Sequence, residues 1–404
     1  MSKKITRTKA KSRTAPKGMP KTPLPDVAGR MPWFRERQPA MVETTGQMIE
    51  IESPTDNKPA VDRLGRWLAG KFEALGGHSK FHRVANFGDH LQIDFPGRDR
   101  RPPVLLLGHL DTVYPLGTLA SMPRREAAGR LHGPGALDMK SGITLMLYAI
   151  DSLRDQGGTL PRAVNVLLVS DEEVGSHSSR RITEELAKRC ATVFVLEPSF
   201  GLQGALKTAR KGVGEFALKV TGRAAHAGLD FEKGESAILE LARQIQRIAG
   251  FTNLKRGLTV NPGVIKGGTR VNVIPAEAEI SIDVRVVSAA DAKDIDRKLR
   301  SLKPFNRKCR LQLSGGVERS PMERTKNVAE LFGKASELAK QIGWKLQEAA
   351  VGGGSDGNLT AALGIPTLDG LGGVGDGAHA PHEFIVTAEL PKRAALLAGL
   401  IESV

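Results

Sequence analysis

Two cysteines, Cys190 and Cys309, are all that the 404 residues contain. They lie far apart and form no CxxC pair, which argues against a thiolate metal site and suits a reducing compartment, so a cytoplasmic protein is expected. No apolar run reaches the roughly 18 residues of a membrane span, so no membrane role is expected. The glycine-rich "GGGSDGN" lacks the Lys-Ser/Thr of a phosphate-binding loop, which argues against a nucleotide site. The opening "MSKKITRTKAKSRTAPKGMPKTPLP" has no acidic and no aromatic residue. Without aromatics it offers bases nothing to stack on. Without an apolar core it is no secretory signal. It reads as a disordered basic tail over residues 1–30 that carries more than half of the net +15 charge. Nucleic acid is left as a partner only through that tail.

What remains is ordinary for a soluble protein: 40% hydrophobic and 25% charged residues, in a chain long enough for two domains. "FRERQPAMVETTGQMIEIESPT" reads as a helix stopped at Ser53-Pro54, and "KPAVDRLGRWLAGKFEALGG" as an amphipathic helix closed by Gly76-Gly77. Strands "HLQIDF", "PVLLLGHLDTV", "AVNVLLVSDEEVG" and "ATVFVLEPS" alternate with helices "SGITLMLYAIDSLRDQG" and "SSRRITEELAKRC". That rhythm implies an α/β fold, a mostly parallel sheet with helices on both faces. Between about Gly212 and Pro321 the order becomes β-α-β-β-α-β, that of a ferredoxin-like sandwich. The expected organisation is a catalytic domain in two parts, 31–211 and 322–404, interrupted by an inserted lid domain over 212–321.

Charge sits where these strands end. "LLLGHLDTV" places His109 and Asp111 just past a buried strand, with a spacing that lets the carboxylate hold the imidazole from behind. "GPGALDMKSG" puts Asp138 before a helix, where a capping role would also explain it. "SDEEVG" crowds Asp171, Glu172 and Glu173 at one strand tip. Such crowding costs repulsion unless a cation lies among them. Glu197 follows the apolar run Val193 to Leu196, and "GDGAHAPHEF" brings His379, His382 and Glu383 in a glycine-rich loop. Each motif has a bland alternative. Together they put His, Asp and Glu at one edge of one sheet, a nitrogen and carboxylate donor set suited to Zn²⁺, with Mn²⁺ or Co²⁺ as substitutes.

The set "GHLDTV", "GPGALDMKSG", "SDEEVGS", "LEPS", "GRAAHAG", "NVIPAEAEISIDVR", "GGGSDGN" and "GAHAPHE" resembles, in order and spacing over about residues 35–400, a known family. It is that of the dinuclear zinc metallopeptidases and deacylases: glutamate carboxypeptidase, acetylornithine deacetylase, succinyl-diaminopimelate desuccinylase and aminoacylase. The resemblance implies two Zn²⁺ per subunit, one on His109, Asp138 and Glu197, the other on Asp138, Glu173 and His379. It implies a cis bond after Asp138, Asp111 orienting His109, and Glu172 as general base. His379 is preferred to His382 because its distance to Glu383 matches the family pattern. His226 would stabilise the oxyanion from the partner subunit of a homodimer, and Asn272 and Arg285 would bind the substrate's carboxylate. For Arg285 a surface charge opposite Asp283 is the alternative. Gly354 in "GGGSDGN" would line the substrate pocket with backbone groups, and Lys207 and Arg210 would add positive charge beside it.

The expected function is zinc-dependent hydrolysis of an amide bond to an amino acid or short peptide bearing a free carboxylate, as in a glutamate-type carboxypeptidase. Within the enzyme class the rival is an N-acyl-amino-acid deacylase such as acetylornithine deacetylase. Asn358 stands where desuccinylases place Arg after "SDG", which weakens a diaminopimelate substrate. Outside it, the rival is an inactive binding protein tethered by its basic tail.

Overall fold

The computed structural model describes residues 24–155 and 158–404. The basic stretch 1–23 lies outside them, but the end of the expected tail does not. A helix starts at Val27 and runs to Glu36, with Asp26 accepting the Gly29 N–H at 2.8 Å as its cap. Val27, Met31 and Phe34 fall on one face and are buried. That spacing, read past in the sequence, brings Val27 into the core from within the expected tail. The single helix expected next is two: Gln38–Glu50 restarts with a proline in its first turn and stops before Ser53.

The central sheet has six strands in the order His78–His82, His90–Phe95, Val164–Val169, Val104–His109, Thr192–Val195, Thr367–Leu368. The last four run parallel and the first two pair antiparallel at one edge. Side chains divide by alternation. Leu105, Leu107, Leu167, Val169, Val193 and Val195 pack toward the helix Arg180–Ala187. Leu106, Val166, Leu168 and Phe194 enter the larger core under the helices Lys58–Ala74, Ser141–Asp155 and Leu390–Ser403. Burial on both faces is why these strands read as unbroken apolar runs.

The expected β-α-β-β-α-β unit is present. Strands Thr259–Gly267, Glu277–Val286, Gly212–Thr221 and Arg310–Arg319 lie in that order, every pair antiparallel. Helices Ala237–Ala249 and Ala289–Arg300 close one face over a separate apolar core that includes Phe216, Leu241, Ile282 and Ile295. No described helix is long and apolar enough to cross a membrane.

Candidate metal centre

Register aligns the strand ends. His109 pairs with Val169 and Leu107 with Val195, so two parallel strands finish level and the third stops two residues earlier. His109 is the last residue of its strand, Glu172 and Glu173 follow Val169, and Glu197 follows Val195 after one residue. The chain crosses this edge closely. A Cβ on Gly142 would lie 2.1 Å from the Leu196 carbonyl oxygen, and one on Gly372 would lie 2.2 Å from it. Two glycines therefore make room for the turn that presents Glu197.

The buried His109 ring sets its Nε2 3.1 Å from Asp138 Oδ1 and 3.3 Å from Glu197 Oε1. Asp138 Oδ2 lies 3.5 Å from His379 Nε2, which is itself 3.2 Å from Glu173 Oε2. The five residues expected to ligate metal thus form one chain of contacts with Asp138 at its middle. The bond after Asp138 is cis. Two overlapping groups, His109, Glu172 and Glu197, and His109, Asp138 and Glu173, each bring donor atoms within 4.8 Å of one another. Of the two loop histidines, it is His379 that meets these acids.

Electrostatics shows a site short of positive charge. Burial first, then the charge of Glu197, pushes the Glu172 carboxyl up to about 8 against the pull of Arg319. Burial likewise raises Glu173. Hydrogen bonds to Asp138 and Glu173 lift His379 to about 10. Burial works against a charged His109, yet Asp111, Asp138 and Glu197 hold its pKa well above the ordinary histidine range. Glu173 Oε1 is buried with no hydrogen-bond partner. A carboxylate oxygen left that way is costly unless a cation completes it. Oxygen and nitrogen donors at these separations fit divalent ions such as Zn²⁺, Mn²⁺ or Co²⁺.

The acid run resolves residue by residue. Asp171 turns away and accepts the Ser178 N–H (2.6 Å), the Ser178 hydroxyl (2.7 Å) and the Ser179 N–H (3.3 Å) ahead of the helix Arg180–Ala187. Only Glu172 and Glu173 face the centre. Asp111 meets His109 chiefly through its backbone. The His109 Nδ1 lies 2.9 Å from the Asp111 backbone carbonyl and 3.6 Å from its carboxylate. That carboxylate instead accepts the Glu172 N–H (3.3 Å), the Glu173 N–H (3.2 Å) and the Thr55 hydroxyl (2.8 Å). Glu383, a candidate ligand in the sequence, is a fastener. It accepts the N–H groups of Gly135, Leu137 and Asp138 and the Tyr114 hydroxyl.

The expected substrate contacts divide. Lys207 is buried, and burial and Arg210 hold its ammonium below the usual lysine range. Arg210 brings its charge beside Glu197 but is held by other groups. It grips Asp369 with two N–H···O bonds (2.7 and 3.0 Å), donates to the Gly353 and Gly354 carbonyls at 3.2 Å, and reaches Glu197 at 3.4 Å. Its donors are committed to the protein, and one of them bonds the Gly354 carbonyl. His226 and Asn272 are exposed. The His226 Nδ1 accepts the Gly228 and Leu229 N–H groups at 3.1 Å, and the Asn272 carbonyl accepts the Ala227 N–H. Arg285 pairs with Asp283 at 2.8 Å, as its alternative supposed. Arg319, which no motif signalled, donates to Glu172 Oε1 at 2.9 Å.

Comparison with known proteins gives the same direction. The model of Peptidase family M20/M25/M40 matches residues 105–403. Carboxypeptidase G2 of Pseudomonas sp. (strain RS-16) is 29% identical over 374 residues, covering 91% of this chain and 89% of that one. The aminopeptidase PepT structure of Bacillus cereus superposes with a TM-score of 0.76 at 23% identity, covering 91% of this chain and 98% of the other. A Bacillus subtilis structure described as a dinuclear metal binding peptidase does so with a TM-score of 0.66 at 15% identity, covering 91% and 98%.

Proposed function

Because the chain belongs to Peptidase family M20/M25/M40 and is a hydrolytic enzyme of it, we propose that it cleaves an amide bond whose nitrogen belongs to an amino acid with a free carboxylate. The reading is that of a glutamate-type carboxypeptidase. The observation that carries it is the convergence of Glu172 on the same 4.8 Å group of donor atoms as His109 and Glu197. His109, Asp138 and Glu197 would hold one divalent ion, and Asp138, Glu173 and His379 the other. When bound, such a pair polarises a carbonyl and lowers the pKa of water. Glu172 takes the proton of the attacking water and delivers it to the departing nitrogen. Lys207 supplies a buried cation toward the substrate's carboxylate. The 29% identity to carboxypeptidase G2 supports the carboxypeptidase reading over a deacylase.

In this reading His226, Asn272 and Arg285 serve a second copy of the chain in a homodimer. The exposure of His226 and Asn272 supports it, as do nearby exposed side chains: Phe231 at 67%, Leu239 at 65% and Ile265 at 59%. A substrate panel tests the function. N-acyl-glutamates and dipeptides with C-terminal glutamate should be turned over faster than N-acetylornithine, and the reverse order would replace the carboxypeptidase reading by the deacylase one.

A further inference from the structure

Arg319 is the last residue of the strand Arg310–Arg319, at the rim of the four-stranded sheet. Along that strand Leu311, Leu313 and Val317 turn toward the sheet's own apolar core. Strict alternation would send Arg319 the same way. The ladder slips instead: Val317 pairs with Gly214 but Arg319 with Val213, leaving Glu318 as an extra residue. A bulge of this kind re-aims the next side chain. Here it turns a guanidinium out of one core and into the acid cluster of the other sheet.

There Arg319 is 9% exposed. Its Nη1 donates to Glu172 Oε1 at 2.9 Å, and its Nη2 donates to the Glu172 carbonyl at 3.3 Å and the Ser176 hydroxyl at 2.8 Å. The same Nη2 stands 3.4 Å from Asp356 Oδ1, which in turn accepts the Ser176 hydroxyl. The planar fork is therefore fixed at both ends of the Glu172–Ser176 turn. One oxygen of Glu172 is engaged by it, while Glu172 as a whole stays within reach of His109 and Glu197. A glutamate side chain has three rotatable torsions, and without a fixed partner it would sample several orientations beside Glu197.

We propose that Arg319 is a positioning residue for this reaction: by holding Glu172 Oε1 it fixes the direction in which the other carboxylate oxygen points. The inference rests on Glu172 being the general base. It makes the pose of the four-stranded sheet a condition for activity, because the arm that sets the base is anchored at that sheet's rim.

The test uses the full chain loaded with Zn²⁺ and an N-acyl-glutamate substrate. R319A should lower kcat about 30- to 100-fold, the loss expected of one charged hydrogen bond of orientation. KM should stay within about threefold and bound metal should be unchanged. Guanidinium added at about 20 mM should restore kcat at least about fivefold in R319A and leave the unsubstituted enzyme unchanged, since it can refill the vacated place beside Glu172. A rise in KM with kcat preserved would overturn the inference, because Arg319 would then bind substrate. A kcat loss that guanidinium does not touch and that follows loss of metal would also overturn it. If R319A gives no cooperative thermal transition, R319Q, which keeps a planar donor group but neither the reach nor the charge of the guanidinium, must show the kcat loss with KM unchanged. Wild-type kcat in R319Q ends the proposal. E172Q keeps the two readings apart. Near-normal turnover in E172Q would remove the base assignment itself, whereas an inactive E172Q beside a fully active R319A removes only the role of Arg319.

Discussion

Glu383 holds the backbone of Asp138 from 245 residues along the chain, its Oε1 accepting the Asp138 N–H at 2.9 Å. The same oxygen takes the Leu137 N–H at 2.7 Å, and Oε2 takes the Gly135 N–H at 3.0 Å and the Tyr114 hydroxyl at 2.6 Å. The residue proposed to bridge two ions thus sits in a loop whose shape is set by a distant carboxylate. E383A would leave the three backbone N–H groups without their acceptor, at about 1–3 kcal/mol for each that water cannot reach, while the Tyr114 hydroxyl keeps the Ala380 carbonyl. The expected result is a lower denaturant midpoint together with weaker metal binding, measured by urea unfolding and by competition with a chelator. Unchanged metal affinity in a folded E383A would show that the loop keeps its shape unaided.

Asp111 gives a second prediction, because its carboxylate holds the Glu172–Glu173 turn and its backbone carbonyl holds His109. D111N places an amide NH₂ where one of two backbone N–H groups needs an acceptor. The turn should shift while His109 keeps its partner. D111N is therefore expected to retain about one equivalent of metal on the His109 side, lose the equivalent on the Glu173 side, and fall about 10- to 100-fold in kcat. Metal analysis alongside kinetics checks this. Loss of both equivalents would mean that Asp111 acts mainly through His109.

The pH dependence of metal binding follows from His379, whose pKa the Asp138 and Glu173 contacts raise to about 10 without metal. An imidazole must be neutral to ligate, so below about 10 its proton has to be displaced. Affinity should rise with pH between 6 and 8, by about tenfold per unit for each proton released. Titration calorimetry in two buffers of different ionisation heat counts those protons, and H379Q should release one fewer. A pH-independent affinity would contradict the assignment of His379.

The parts of the centre that the sequence made legible are those whose charge interrupts an apolar run. His109 and Glu197 end or follow strands buried on both faces, so a charge there needed a partner and marked the sheet edge. The ferredoxin-like unit was legible because its strands and helices each keep their own period. Other features depended on three-dimensional register. A bulge at Glu318 decides where Arg319 points, and no residue in "GGVERSP" announces it. The partner of Arg210 was hidden because Asp369 lies 159 residues away. The start of the first helix was hidden by the basic stretch before it, although Val27, Met31 and Phe34 carry the helical spacing.

The measurement that bears most directly on the account is elemental analysis of freshly purified protein never exposed to a chelator. The account predicts about two equivalents of a divalent metal per chain, zinc or one of its substitutes, with activity lost on removal and regained on return. Active protein with no stoichiometric metal would contradict it.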